Sequence, residues 1–252
     1  MFLLVCYQFF TAVQDVIADA IMVKVCKVDP KNGSADFQTY IFMVCGFGGI
    51  VGSITAIFLT EVLKPYTTFF FYSFLNLFLL LFIFKLDEGI IEKINVKDNL
   101  KKIVKHFRQP VVFWTVLFLF LARACVPSFG DIIYYFIINE IGFSKSFIAA
   151  LTLVGFIGLF VGSSFYNRFF KNIDYPKMMF IGQILMQITI ILNLLFIMWI
   201  TKEYFHINDI IFCLFTDIGG EILFQALMVM PTLVMQARII PKNVEGTVFA
   251  LF

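Results

Sequence analysis

Apolar runs of about twenty residues or more recur along the whole chain, separated by short polar or charged segments. At about 1.5 Å of rise per residue, roughly twenty helical residues cross the ~30 Å hydrocarbon core of a bilayer. The pattern predicts seven spans, over residues 2–23, 38–62, 66–84, 110–139, 147–166, 177–200 and 208–235, with a last apolar stretch at 246–252 beginning another. The expected fold class is therefore all-α, a polytopic transmembrane helix bundle. The first run is followed by more apolar helix bearing Asp15 and Asp19 rather than by a small-residue cleavage site, so it reads as a true span and not a signal peptide.

The connections alternate between basic and nearly neutral. Lysines and arginines gather between Lys24 and Lys31, between Lys85 and Arg108, between Arg168 and Lys177, and at Arg238 and Lys242, whereas Lys64, Lys145 and Lys202 lie on the other side. The positive-inside rule makes the basic side cytoplasmic and starts Met1 outside. The segment 85–109 is long, charged and partly amphipathic through Ile90, Ile91, Ile94, Leu100, Ile103 and Val104, which predicts a cytoplasmic connector lying on the membrane surface. It divides the chain into three spans (1–86), a linker (87–109), and four spans with the start of a fifth (110–252). An odd span count, a start inside apolar sequence and an end within another run predict a chain truncated at both ends. Asn32-Gly33-Ser34 matches the glycosylation triplet but falls in a cytoplasmic connection, where no glycan is expected.

Composition excludes several classes. With 61% hydrophobic, 18% aromatic and 14% charged residues, the chain carries more apolar surface than a water-soluble fold of 252 residues can hide. The mean hydropathy is +0.93. A net charge of +2, with the aromatic residues inside apolar runs, gives no basis for nucleic-acid binding. The five cysteines are scattered without metal-ligand spacing and read as small packing residues. His106 and His206 have no partner at catalytic spacing and are expected in solvent. No nucleophile elbow, HExxH or nucleotide fingerprint is present, so neither an enzyme nor a metal or cofactor site is expected.

An ionisable residue at membrane depth costs on the order of 2.5–3.5 kcal/mol on insertion scales, so it ordinarily faces a cavity, a partner or an ion path. Here the first span carries Asp15 and Asp19, the fourth Arg123 and Asp131, and the seventh Asp217 and Glu221, while the others carry none except near their ends. One polar helix in every three is the signature of three-helix repeats around a central pathway. Asp15 and Asp19 share one helical face with Thr11 a turn before them, and Asp217, Glu221 and Gln225 repeat the spacing. Like charges one turn apart repel, which favours a proton held by the pair and makes these residues candidates for substrate binding or proton coupling. The competing role is structural, the acids pairing with Arg123 to hold the bundle together. Pro127-Ser128-Phe129-Gly130 predicts a helix break in the fourth span, a feature shared by substrate sites and simple kinks. Gly46, Gly49 and Gly52, and Gly155, Gly158 and Gly162, offer small faces for close helix approach.

Several segments together resemble the folate–biopterin transporter family of the major facilitator superfamily. They are Gln14-Asp15-Val16-Ile17-Ala18-Asp19-Ala20; Pro127 through Phe136 with Asn139-Glu140-Ile141-Gly142-Phe143-Ser144; and Asp217 and Gln225 with Met230-Pro231-Thr232-Leu233-Val234, Ala237-Arg238, Pro241 and Glu245-Gly246-Thr247-Val248-Phe249-Ala250-Leu251. Tyr166-Asn167-Arg168-Phe169-Phe170-Lys171 lies where the superfamily carries a basic loop motif, here degenerate. The resemblance implies helices four to ten of twelve, with the acidic helices lining the central cavity. It further implies a multi-pass membrane transporter of folate, biopterin or a related pterin-type solute, working by alternating access and driven by protons. A carboxylate such as Asp19 or Asp217 would receive the paired donors of a pterin ring, and Arg123 would meet a folate carboxylate. Which membrane houses it is open. The raw count also admits a seven-span receptor with an external amino terminus, against which stand the buried acids and the lack of an outer disulfide pair.

Overall fold

A backbone in lipid must satisfy its own hydrogen bonds, which leaves the helix as the natural element for runs of this apolarity. The computed structural model describes residues 2–27, 29, 32–62, 65–83, 96–125, 130–143, 145–240 and 247–249, and it is all-helical among them. The helices are α1 (Phe2–Cys26), α2 (Gly33–Val62), α3 (Pro65–Ile83), α4 (Val96–Phe107), α5 (Pro110–Ala124), α6 (Gly130–Asn139), α7 (Lys145–Phe165), α8 (Tyr175–Ile197), α9 (Ile200–Glu203), α10 (Asp209–Phe224) and α11 (Met230–Ile239). Two π-helical turns, Tyr166–Phe170 and Gln225–Val229, extend α7 and join α10 to α11.

Local chemistry explains several boundaries. Prolines sit in the first turns of α5 and α8, where the missing amide is not needed, while Pro231 follows closely on the π-turn that joins α10 to α11. Asn208 caps α10 by accepting the Ile210 amide at 2.9 Å. Among the described residues, four stretches are long and apolar enough to cross a bilayer: Gly33–Leu59, Ala149–Phe170, Tyr175–Ile197 and Asp209–Ile239. A fifth is formed if α4 and α5, which meet at an 80° bend, are counted together. α1 has 25 residues but is diluted by Gln8, Gln14, Asp15 and Asp19. Of the expected fourth span, α5 runs to Ala124 and α6 begins at Gly130, while Pro127, where a break was expected, lies outside the described residues.

α7 is the central helix, packed against α2 on one side and α10 on the other. The α2 contact depends on glycine. A Cβ on Gly46 would lie 2.9 Å from the Phe160 backbone nitrogen, and one on Gly49 would enter the Phe156 ring. Gly52 and Gly155, by contrast, face open space.

Apolar clusters close both ends. At the end carrying the basic connections, Met22, Val23 and Cys26 of α1 pack with Ile103 of α4, Ala237, Ile240 and Val248. Beside them Ala35 of α2, Tyr166, Met178, Met230 and Val234 form a second cluster. The opposite end holds Ile137, Phe196, Phe212 and Cys213. Large apolar side chains such as Phe70, Phe180 and Phe215 turn outward, as a lipid-facing surface requires.

α4 lies as an amphipathic strap at the basic end: Ile103 is buried and Phe107 packs on the first cluster, while Lys101, Lys102 and Lys105 are exposed. His106, expected in solvent, is instead half-buried with its Nε2 enclosed and unpartnered, and burial pushes its pKa below the ordinary 6.5. The folded state therefore favours the neutral ring. Its contribution to α4 docking is full above 6.5 and is lost as pH falls through the lowered folded value. Lowering pH from about 7.5 to about 5.5 should raise corrected hydrogen exchange in residues 103–107, and His106→Gln should abolish the pH dependence. At the α2–α7 seam, Gly46→Ala should destabilise by about 1–3 kcal/mol through overpacking, seen as a lower unfolding temperature in detergent, whereas Gly52→Ala should leave the α2–α7 contact undisturbed.

Candidate functional site

Asp217 and Glu221 of α10 and Gln225, which follows its last residue, succeed one another at one-turn intervals, with Asp217 turned outward, Glu221 half-buried and Gln225 only 2% exposed. α7 accommodates them through residues of matching spacing. A Cβ on Gly158 would come within 2.7 Å of Glu221 Cγ, and one on Gly162 within 2.8 Å of both Gln225 Cβ and the Ile222 carbonyl. The two glycines thus form the surface on which the acidic face of α10 rests. Next to Gly162, the fully buried Ser163 accepts a hydrogen bond from Gln225 Nε2 at 3.3 Å and donates its own hydroxyl to the Leu159 carbonyl at 2.6 Å.

The π-turn begins at Gln225 itself. One extra residue in the turn rotates α11 about its axis relative to α10, so that Ala226, Leu227, Met230 and Val234 enter the apolar cluster at the basic end. α10 thereby changes character at Gln225, carrying acids on one side of it and a sealed apolar face on the other. Thr216, just before Asp217, turns its hydroxyl back to the Phe212 and Cys213 carbonyls at 2.9 and 3.1 Å.

The second acidic pair sits on α1. Asp15 is exposed, Asp19 is half-buried, and Asp15 is within electrostatic reach of Cys45 on α2. Thr11 bonds back to the Tyr7 carbonyl at 3.0 Å. In the packing series α1, α2, α7, α10 the two acidic pairs occupy the two outer members. Arg123 and Asp131 lie on α5 and α6, and their side chains fall outside the described residues. Among the described residues no group of His, Cys, Asp or Glu is arranged to hold a metal ion.

Ser163 does not stand out in the sequence pattern. A signal is nonetheless present, since Gly158 and Gly162 carry the same four-residue interval as Glu221 and Gln225, and a small residue beside such a pair is a natural hydrogen-bonding partner.

The family model of the BT1 family matches residues 1–252. The chain belongs to the BT1 family. Its relatives include the folate-biopterin transporter of Synechocystis sp., 27% identical over 95% of this chain and 49% of that protein. Folate transporter 1 of Plasmodium falciparum is 24% identical over 99% of the chain and 49% of its own length. Probable folate-biopterin transporter 4 of Arabidopsis thaliana is 28% identical over 58% of the chain and 29% of its own length. The chain thus spans about half the length of the first two relatives and less of the third. No solved structure matches it. The BT1 membership and the apolar helices make it an integral, multi-pass membrane protein.

Ser163→Ala would leave the buried Gln225 amide without its partner. An unfolding-temperature drop corresponding to about 1–3 kcal/mol is expected, and the double variant Ser163→Ala/Gln225→Leu should recover part of it.

Proposed function

We propose that the protein to which this chain belongs is a secondary active transporter that moves folate, biopterin or a related pterin-type solute by alternating access, coupled to protons. The observation that carries this reading is the polar row Asp217–Glu221–Gln225, whose Glu221 and Gln225 rest on Gly158, Gly162 and Ser163 of α7, in an apolar helix of a BT1-family chain. Carboxylates kept at that depth are costly unless they serve a cavity or an ion path. The names of the relatives supply the solute class.

The chemistry is consistent with that class. A pterin ring presents adjacent N–H donors along one edge, and a carboxylate accepts two such bonds. Asp15 with Asp19, and Asp217 with Glu221, each offer a second carboxylate one turn away, so that one member can hold a proton while the other binds. Arg123 would meet the carboxylates of a folate tail, and Asp131 would complete the polar lining of the fourth predicted span. Pro127 and Gly130 would supply a flexible break there. The linker 87–109 would join the bundle ending at residue 86 to the bundle beginning at 110. The relatives' names and the paired acids favour this reading over a seven-span receptor.

Uptake of labelled folate or biopterin by the full-length protein tests it. Asp217→Asn should lower uptake at least tenfold while membrane insertion persists, as loss of a carboxylate that serves a solute or ion path at membrane depth would do. Normal uptake by that variant would refute the carboxylate role. Proton coupling should appear as external alkalinisation that accompanies uptake and disappears with a protonophore.

A further inference from the structure

The end of the bundle opposite the basic connections carries a cleft of about 400 Å³, away from the acids described above. Its walls come from the loop after α6 (Glu140, Phe143), from Trp199 and Lys202 around α9, and from Asn208 and Asp209 at the start of α10. We propose that this cleft is an entry subsite in which a pterin-type ring stacks on Trp199 and pairs its N–H edge with Asp209 before reaching the acids of α10. The inference rests on the proposed function.

A volume of this size falls within the range of small-molecule pockets, roughly 300–1,000 Å³. Its chemistry is that of a flat, donor-edged heterocycle: an aromatic face beside a shielded carboxylate. Trp199 adopts a left-handed backbone conformation, with φ of 61°, that a bulky residue rarely tolerates. The conformation separates α8 from α9, and the indole lies on the cleft wall. Lys202 covers that indole, its Nζ lying 4.9 Å from the ring centroid and 3.2 Å from Asp209 Oδ2.

The two ends of this ion pair are unequal. The Asp209 side chain is 13% exposed and that of Lys202 is 56% exposed, so the carboxylate is fixed while the ammonium is free to move. A ring that displaces Lys202 takes over both of its partners, the indole face and the carboxylate. Lys202 is then available for the carboxylates of a folate tail, and Glu140 offers a second acceptor.

Beneath the cleft runs a continuous aromatic column. Trp199 meets Phe136 at 5.5 Å, Phe136 meets Phe196 at 5.7 Å, and Phe196 stacks on Phe212 at 5.1 Å. Phe212 stands five residues before Asp217 on α10, about 7.5 Å along the helix axis. The column therefore runs from the cleft wall into the apolar cluster at this end of the bundle and stops about one and a half turns short of Asp217.

The test measures saturation kinetics of biopterin and folate uptake by the full-length protein. Trp199→Leu and Asp209→Asn should raise KM about tenfold for both solutes with kcat little changed, the size expected for loss of a stacked or paired ring. Trp199→Phe, which keeps a ring, should stay near the wild-type KM. Lys202→Gln should raise KM for folate and not for biopterin. Unchanged KM in Trp199→Leu and Asp209→Asn, with wild-type uptake intact, would overturn the entry subsite alone. A wild-type protein that neither binds nor takes up either pterin would overturn the proposed function, and the subsite with it.

Discussion

Apolar side chains gain nothing by leaving lipid for one another, so membrane helices associate where backbones come close enough for dispersion and short polar bonds to act. In this chain that condition is met along α7. Gly46 and Gly49 of α2 admit Phe160 and Phe156, and Gly158 and Gly162 admit Glu221 and Gln225 of α10. With a methyl group at Gly46, Gly158 or Gly162, neighbouring atoms would lie at 2.7–2.9 Å, so the three-helix core depends on the missing side chains. Of the other described helices, α1 rests on α2, α8 on α10, and α11 returns to α2.

The same close approach brings polar chemistry into the membrane region. Glu221 is tolerated where it is because a glycine faces it, and Gln225 because Ser163 receives its amide proton. Near the basic end, Gln38 Oε1, Thr39 Oγ1 and the Tyr166 hydroxyl are buried without a hydrogen-bond partner. Gln38 turns its amide to Met22 Sδ at 3.0 Å, and Lys171 bonds Asp36 at 3.2 Å across the α2 to α7 boundary. Polar atoms left unsatisfied in a packed region weaken the closed arrangement relative to one in which water reaches them.

Much of this was legible in the chain because the signals are local. Apolar run length marks a helix whatever its neighbours are, and α2, α7, α8 and α10 with α11 fall close to where the runs predict them. The acids were visible because charge at membrane depth is conspicuous, and the i, i+4 interval alone puts Glu221 beside Asp217. Ser163 was less legible because its importance lies in a partner sixty-two positions away. The π-turns at Tyr166 and Gln225 were not visible, since nothing in their residues distinguishes them from α-helix.

Helical and membrane-embedded character, the places of the basic connections and the helices that carry acids can all be read along the chain without its fold. These properties arise from transfer energies and helical periodicity, which act residue by residue. Tertiary structure decided which glycines matter: Gly46, Gly49, Gly158 and Gly162 meet a neighbour, while Gly52 and Gly155, of the same type and in the same runs, meet nothing. It also decided that His106 is enclosed and that Trp199, Lys202 and Asp209 share one cleft. Such choices depend on the rotation of one helix about its axis relative to the next, and an all-apolar helix carries no local pattern that sets that angle.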